Sequence, residues 1–317
     1  MASTRTVQQT LTWASQFVNL RPMTLGTGFE PALTIANLVL QTILGPPFRW
    51  RWNRDMYTAS LSAAAQDFSI SFNSNSPVAI SAASQADPVS MTTASSPATG
   101  TLVTIGGGTG NWVAVNGMWV LTKTAGTTFT IPVVSTAFGA VTGTLTYTLA
   151  SSVFGFLERA SATAGGRTWQ VKDISAELPV VSETGRPQFI AAQSQSVDAV
   201  TFRVSPVTDQ AYTMNMTSQR KAPTMTSLSD TWSPVPDEYA FVYNHGFLAM
   251  AMLYADDPRW TVELPRFIVS LVGISQGLSD TEKNIFLDAW LHPISRARKT
   301  AQLGQQDQSS VAVPGGG

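Results

Sequence analysis

The hydrophobic and polar positions of this chain follow a helical period near both ends and a strand-like alternation between them. Residues 6–19 predict a first helix, capped by Thr4 or Thr6, because their apolar residues recur at intervals of three and four. The residues of this apolar face are Val7, Leu11, Ala14 and Val18.

A second helix is predicted over residues 29–44. Pro31 suits its first turn, where the missing N–H of proline costs nothing. Gly45 can adopt the left-handed cap conformation, and Pro46 and Pro47 prevent the helix from continuing. This is the clearest helix boundary that the sequence contains.

Helical patterns return in the last third of the chain. Residues 237–254 are apolar on nearly every side, which is typical of a helix buried in a core or in a subunit contact. A weaker helix is predicted over 262–274, beginning near Pro265. Ser279 and Glu282 have the spacing of a capping box that opens a further helix.

This last helix is predicted to extend to about Leu303, with a kink at Pro293. The following residues, 304–317, are rich in Gln, Ser and Gly. That composition is typical of a flexible tail.

From Met56 onward the apolar residues alternate with polar ones, the period of half-buried strands. Asn116-Gly117 is a strong signal for a two-residue hairpin, because both residues tolerate a positive φ. The predicted strands cover 68–72, 101–105, 118–122, 129–134, 143–149, 169–174, 188–192, 199–204 and 211–217.

The part of the chain between Asp87 and Glu158 is nearly free of charge, with Lys123 as its single charged residue. Residues 88–142 are therefore interpreted as a small β module inserted into a larger β region. Low charge is compatible with packing against neighbouring subunits, and equally with a surface kept soluble by Ser and Thr hydroxyls.

These patterns predict an α+β fold, in which both chain ends form a helical bundle and a long β-rich middle carries an inserted small, immunoglobulin-like β module. The predicted domains are a helical bundle from 1–55 and 236–303, a β domain from 56–87 and 143–235, the module at 88–142, and the tail at 304–317.

The amino-acid composition limits the classes of protein to which this chain can belong. Of 317 residues, 44% are hydrophobic, which is enough for a sizeable core. The net charge of −1 provides no global attraction to nucleic acid or membrane. The absence of Cys excludes a disulfide framework and a thiolate metal site. The sequence shows neither a signal peptide nor a membrane span, so we expect a protein made in the cytoplasm.

Candidate chemistry is sparse. Neither His245 nor His292 has a partner at metal-ligand spacing, so we predict no metal. The Gly106–Gly110 run lacks the Lys and the following helix of a phosphate-binding loop, and is interpreted as a hairpin loop. The paired carboxylates at Asp237-Glu238 and Asp256-Asp257 flank helix ends, where their expected role is to cap the helix, to bind loop backbone or to remain on the surface. We therefore predict no catalytic residues, no cofactor and no enzymatic activity.

Two basic segments are the candidate sites. Arg49, Trp50, Arg51, Trp52 and Arg54 interleave cations with aromatic rings. This composition fits local packing of arginine stems on tryptophan rings, a subunit contact, or contact with nucleic acid. The second segment, near the C-terminus, fits either a cap on a helix dipole or a docking site for an acidic partner. It contains Arg296, Arg298 and Lys299.

Three segments carry a resemblance to a known family. They are Leu38–Arg54, with its Gly-Pro-Pro-Phe-Arg-Trp-Arg-Trp core; Phe202–Tyr212, with a Ser-Pro-Val-Thr-Asp turn; and Thr231–Tyr239, which opens an apolar helix. Together they make the chain similar to the head-to-tail adaptor (connector or neck) proteins of tailed bacteriophages. The resemblance covers about 1–75 and 165–303, and residues 88–142 depart from the minimal adaptor.

The resemblance implies a homo-oligomeric ring, commonly twelve-fold, that binds the portal protein. It also implies contacts with tail or tail-tube and nozzle proteins, and a lumen through which genomic DNA passes without sequence-specific binding. Arg296–Lys299 become candidate portal contacts, and Arg49–Arg54 become a candidate subunit contact. The expected location is the neck of the virion, with no membrane partner.

Two other classes of function are compatible with the sequence. A tail-terminator, tail-tube or capsid-decoration protein would be built around the β-rich middle. A glycan-binding or glycan-active β protein would use aromatic residues on one β face, for which the middle supplies Trp112, Trp119 and Trp169 but almost no carboxylates.

Overall fold

A computed structural model describes residues 3–18, 30–72, 76–141, 143–149, 154–174, 178–196, 198–275 and 277–291. The chain divides into two compact units. The first, here called the chain-end unit, comprises Met1–Asn53 and Lys221–Gly317, and the second, the sheet unit, is Arg54–Arg220. The predicted kink at Pro293 and the tail at 304–317 lie outside the described residues.

The sheet unit is dominated by one mixed sheet of 14 strands. Its order is β2-β14-β13-β11-β10-β16-β1-β6-β5-β9-β3-β4-β8-β7, and β12 and β15 form a separate pair. The strands are β1 (Arg54–Leu61), β2 (Asp67–Ser71), β3 (Val78–Ala83), β4 (Val89–Thr93), β5 (Leu102–Gly108), β6 (Gly117–Val120), β7 (Thr122–Lys123), β8 (Thr128–Ile131), β9 (Gly143–Leu149), β10 (Phe154–Ala164), β11 (Arg167–Asp173), β12 (Thr184–Gly185), β13 (Phe189–Gln195), β14 (Ala199–Ser205), β15 (Val207–Thr208) and β16 (Tyr212–Arg220).

Alternating burial along the central strands explains how this sheet forms a core. In β1, Tyr57, Ala59 and Leu61 are buried, and the residues between them are more exposed, because successive side chains point to opposite faces. β1 pairs antiparallel with β16, from Arg54 opposite Gln219 to Leu61 opposite Tyr212. The buried face of these strands belongs to one apolar core, to which β2, β10, β13 and β14 also contribute.

A second apolar core is formed mainly by side chains of β4, β5, β8 and β9. Trp112 and Phe129 are fully buried in it. Trp112 lies in a short 3-10 turn, Gly110–Val115. Its indole N–H donates to the carbonyls of Gly139 and Ala140. The Trp112 side chain therefore fills part of this core and also donates a hydrogen bond to two backbone carbonyls of a loop.

The predicted fold class is wrong. The molecule is mostly a mixed 14-stranded sheet with few helices, and it is not a helical bundle from both chain ends carrying a β excursion. Helical periodicity identified individual helices correctly, but it contains no information on how many strands pair into one sheet. Irregular segments also supply core residues of the chain-end unit, including Phe48, Trp50, Met225, Trp232 and Val235.

The small β module predicted at 88–142 as part of that fold class does not form a separate sheet. β5 and β6, inside 88–142, join the large sheet, where Trp119 of β6 lies opposite Thr58 of β1. The pairing of β6 with β1 gives hydrogen-bond partners to backbone N–H and C=O groups that would lie at an open sheet edge if the module were separate. Asn116-Gly117 is not a two-residue hairpin, because the 3-10 turn at Gly110–Val115 connects β5 to β6.

The helices of the chain-end unit are α1 (Val7–Ala14), α2 (Glu30–Leu44), α3 (Ala240–Tyr254), α4 (Trp260–Ile274) and α5 (residues 280–291). Thr6 forms the capping box that begins α1, with Gln9 as its partner. Ser279 and Glu282 form the second one, ahead of α5. α4 begins at Trp260, so Pro265 lies inside the helix and does not start it.

α3 is the central helix of this unit. It contacts α1, α2 and α4, and nine of its residues are buried, as its all-round apolar pattern predicted. Gly246 provides the closest approach. A Cβ at this position would lie 2.8 Å from both Phe267 of α4 and Val39 of α2, two fully buried side chains.

The two helical glycines in the described part of this unit should respond oppositely to alanine. Gly273→Ala adds helix propensity of up to about 1 kcal/mol, because nothing lies within 4 Å of the new Cβ. Gly246→Ala gains the same propensity but overpacks the core, and should lower the free energy of unfolding by about 1–3 kcal/mol. Urea unfolding of both variants measures the difference, and equal effects would contradict the close packing at Gly246.

Candidate functional site

The aromatic and arginine segment splits its side chains between the core and the surface. Phe48 and Trp50 are buried, Trp52 is half-buried, and Arg49 and Arg51 are exposed. The segment thus places its rings inside the chain-end unit and two of its cations outside.

The rings of this segment form a stack that continues into a distant part of the chain. Trp50 and Trp52 have ring centroids 5.4 Å apart and nearly parallel planes, and each lies 6.3 Å from Tyr239. The Trp50 indole N–H donates to the carbonyl of Ile43 at 2.7 Å. The tryptophans therefore hold together 38–54 and 231–239, two of the three segments that carry the family resemblance.

Arg54 belongs to the sheet unit and has a buried partner. Its guanidinium makes a two-point contact with the carboxylate of Glu158, whose side chain is 9% exposed, and Arg54 Nε lies 2.7 Å from Glu158 Oε2. Gln219 donates to the same carboxylate at 2.8 Å. Of the predicted cationic candidates in the described residues, Arg49 and Arg51 are thus the exposed ones. Arg296, Arg298, Lys299 and His292 lie outside the described residues.

Large exposed hydrophobic residues form a second candidate site, which the sequence analysis did not recognise. Nine of the fourteen in the described part of the chain belong to the chain-end unit, although this unit is the smaller of the two by described residues. The nine are Phe17, Leu38, Phe241, Leu253, Tyr254, Val262, Val269, Ile285 and Trp290. In α4, Val262 and Val269 repeat at two-turn spacing opposite the buried face, a signal that a helical wheel would have shown.

Some of these side chains line a groove of 290 Å³ between α1, α3 and α4. The apolar part of its lining comes from Trp13, Phe17, Leu248, Met252 and Val262. The Trp13 and Phe17 rings lie 5.0 Å apart, which fixes one wall of the groove.

Charged residues form the rim of this groove. Glu263 lies between His245, whose Nδ1 is 3.2 Å from Glu263 Oε2, and Arg266, whose Nη1 is 2.7 Å from Glu263 Oε1. Arg259 pairs with Asp257, and this contact lowers the pKa of the Asp257 carboxyl. The carboxylates are 13% and 20% exposed, but the Arg266 and Arg259 side chains are 63% and 59% exposed. The rim therefore presents mainly positive charge to solvent.

A concave surface of 490 Å³ lies on the sheet unit, across β1, β16, β10 and β11. Side-chain hydrogen bonds cross it from Thr58 to Asn215, from Asn215 to Thr163, and from Thr163 to Thr168. Arg159 adds a bond to Thr217. These contacts link polar side chains of the four neighbouring strands to one another.

The tryptophans considered for glycan binding have other contacts. Trp112 is fully buried, and the Trp119 indole N–H donates to the Val115 carbonyl at 2.7 Å. Trp169 is half-buried and carries the Arg186 guanidinium 5.2 Å from its ring centroid. The three rings do not form one exposed aromatic platform.

Asp237 binds the N-terminal segment of the described chain. Its carboxylate accepts hydrogen bonds from the Ser3 and Thr4 hydroxyls and from the Thr4 backbone N–H. These donors lower its pKa from the ordinary 3.8 to about 2. Of the roles expected for this carboxylate, it has contact with loop backbone, and its partners lie more than 230 residues away in sequence.

The pH dependence of stability should show this contact. Because the pKa of Asp237 is lower in the folded chain, its stabilising effect is complete above pH 4 and is lost as the pH falls to about 2. Asp237→Asn should therefore unfold at lower urea than the wild type at pH 7, with the gap closing near pH 2. Asp198→Asn is the control, and a gap that persists at pH 2 would contradict the assignment.

No protein-family model matches the sequence, and no curated protein matches it significantly. Within the described ranges, no group of three or more His, Asp or Glu side chains is arranged to hold a metal ion. None of the helices in the same ranges is both long and apolar enough to cross a membrane. Function must therefore be inferred from the chain's own surfaces.

Proposed function

We propose that this protein is a structural virion protein, a head-to-tail adaptor that forms a homo-oligomeric ring between the portal and the tail of a bacteriophage. Its partners are the portal protein, tail or nozzle proteins, and genomic DNA that passes through the ring without being read. It is made in the host cytoplasm and acts in the neck of the virion without chemical catalysis.

The concentration of exposed apolar side chains on the chain-end unit carries this proposal. Scattered apolar residues are normal on protein surfaces, whereas contiguous apolar patches mark interaction sites. Phe17 and Val262 belong to one groove, and Val269 continues the exposed face of α4 from Val262. A ring subunit needs such surfaces, because every copy contacts two neighbours.

The packing of the resembling segments gives further support. Leu38–Arg54 and Thr231–Tyr239 are far apart in sequence, and their rings meet in one cluster at Trp50, Trp52 and Tyr239. The resemblance in these two segments therefore concerns residues that pack together in one structural unit, and this supports the adaptor proposal.

The test is the mass of the purified protein alone and with the portal protein from the same genome, measured by native mass spectrometry. We expect a complex in which a ring of copies, twelve in the commonest arrangement, binds one portal. The control is the same measurement with a portal from an unrelated phage.

The copy number also separates the alternatives. A six-copy ring without portal binding would replace the adaptor proposal with a tail-terminator or tail-tube protein. Binding to capsid shells in place of the portal would indicate a decoration protein.

A further inference from the structure

We infer that the groove between α1, α3 and α4 binds the outer face of α5 from a second copy of this chain. Neighbouring copies would then associate head to tail. This inference rests on the proposed ring assembly and assigns its subunit contact to two particular surfaces.

The outer face of α5 is an apolar and acidic surface. α5 is anchored through Phe286, whose ring lies 5.0 Å from that of Phe48. Ile285, the preceding residue, is 65% exposed and begins the outer face of the helix. Ala289 and Asp288 follow it by four and three residues, so the three side chains share one face. Asp288 makes no ion pair with any residue that the structure describes.

The groove has the complementary chemistry. Its walls are apolar, and its rim presents the guanidinium groups of Arg259 and Arg266 while the partner carboxylates are covered. Arg266 uses Nη1 for Glu263 and is 63% exposed. An acidic and apolar helix face therefore fits this groove better than a neutral or basic one.

The spacing of the two surfaces also agrees. Arg266 follows Val262 by one helical turn in α4, and Asp288 follows Ile285 by one turn in α5. When Ile285 packs beside Val262, a turn of about 5.4 Å on each helix can bring the two opposite charges together. One contact then covers an exposed apolar residue and gives Asp288 a partner that the described part of its own chain does not supply.

The occupant must come from another copy. The α5 anchor at Phe48 connects through Trp50 to Tyr239, just before the start of α3. The groove lies beside Leu248 and Met252, nine and thirteen residues further on, or about 13–20 Å along the helix. Ile285 is exposed in its own subunit, so it does not fill its own groove. Two different surfaces on one subunit generate a heterologous contact, which closes into a ring when the rotation permits.

The absence of cysteine from the natural sequence allows a direct test. Val262→Cys and Ile285→Cys proteins are mixed at high concentration and treated with a short bifunctional maleimide. We expect a cross-linked product in the mixture that neither protein forms alone, and a ladder of products from the chain that carries both cysteines. Val180→Cys, at an exposed site of the sheet unit, replaces Val262→Cys in the control.

Charge reversal provides the second measurement. Arg266→Glu and Asp288→Arg should each weaken self-association at least tenfold in analytical ultracentrifugation, and the double variant should recover most of the loss. Arg167→Glu, an exposed reversal on β11, is the matched control and should change nothing. Circular dichroism verifies that each variant is folded.

Three results would overturn the inference. They are cross-linking of Val262→Cys with itself, equal products with Val180→Cys, and single reversals that leave self-association unchanged. Failure of the proposed adaptor function is distinguishable, because portal binding is measured on the unmodified protein. A wild type that binds the portal but fails these tests keeps its proposed function and loses this subunit contact.

Discussion

Replacing Trp232 by alanine should strongly lower the stability of the chain-end unit. The side chain is fully buried, stacks on Tyr243 with ring centroids 4.7 Å apart, and donates its indole N–H to the Thr10 hydroxyl at 2.9 Å. Truncation of a buried tryptophan costs about 3–5 kcal/mol, because transfer energy is lost and a cavity remains. Single domains have only about 5–15 kcal/mol of net stability.

Urea unfolding followed by tryptophan fluorescence and circular dichroism measures this loss. The matched control is Trp290→Ala, because Trp290 is 38% exposed and truncation there should cost about 1 kcal/mol or less. Similar losses in the two variants would show that Trp232 is not the centre of this core. Trp232→Phe keeps an aromatic ring but loses the N–H donor to Thr10 and part of the volume, so its loss should be smaller than that of Trp232→Ala.

Glu158→Ala should destabilise the sheet unit by about 3 kcal/mol, the low end of the range for breaking a buried ion pair. Its carboxylate is the acceptor for Arg54 and for the fully buried Gln219. Alanine leaves a guanidinium and an amide without this acceptor inside the β1, β16 and β10 ladder. The cost stays near the low end because the Arg54 side chain is 30% exposed and keeps access to water.

Asp67→Ala is the comparison that decides this prediction. Asp67 pairs with Arg203 in a similar two-point geometry, but its side chain is 45% exposed. An exposed pair contributes about 0.2–1 kcal/mol, so its loss should be small. Thermal unfolding of both variants gives the ranking. If Asp67→Ala is as harmful as Glu158→Ala, burial is not the reason for the importance of Glu158.

The structure bears out many local predictions from the sequence. The helix predicted over 29–44 extends from Glu30 to Leu44, and the strand predicted at 143–149 is β9 with the same bounds. Both are strong local signals, a Gly-Pro-Pro stop in the first and a strict alternation in the second. β10, the longest strand at Phe154–Ala164, was not predicted, because its Glu158 and Arg159 interrupt the apolar pattern.

The candidate site was only partly visible in the sequence. The Arg and Trp segment was recognised by its composition, but the separation of buried rings from exposed Arg49 and Arg51 needed the tertiary structure. The partner of Arg54 is Glu158, a residue 104 positions away. The groove is lined by α1, α3 and α4, and no local pattern reveals that Trp13 and Val262 are neighbours.

The sequence by itself determined where most helices and many strands lie, that α3 is buried on nearly every side, and that the chain contains no thiol chemistry. Those properties depend on the period and type of neighbouring residues, which every segment carries locally. Only the tertiary structure decided that, within the described residues, 14 strands join one sheet and nine large apolar side chains of the chain-end unit stay exposed. Strand partners and exposed faces are set by contacts between distant segments, and a periodic pattern specifies a buried face without specifying what covers it.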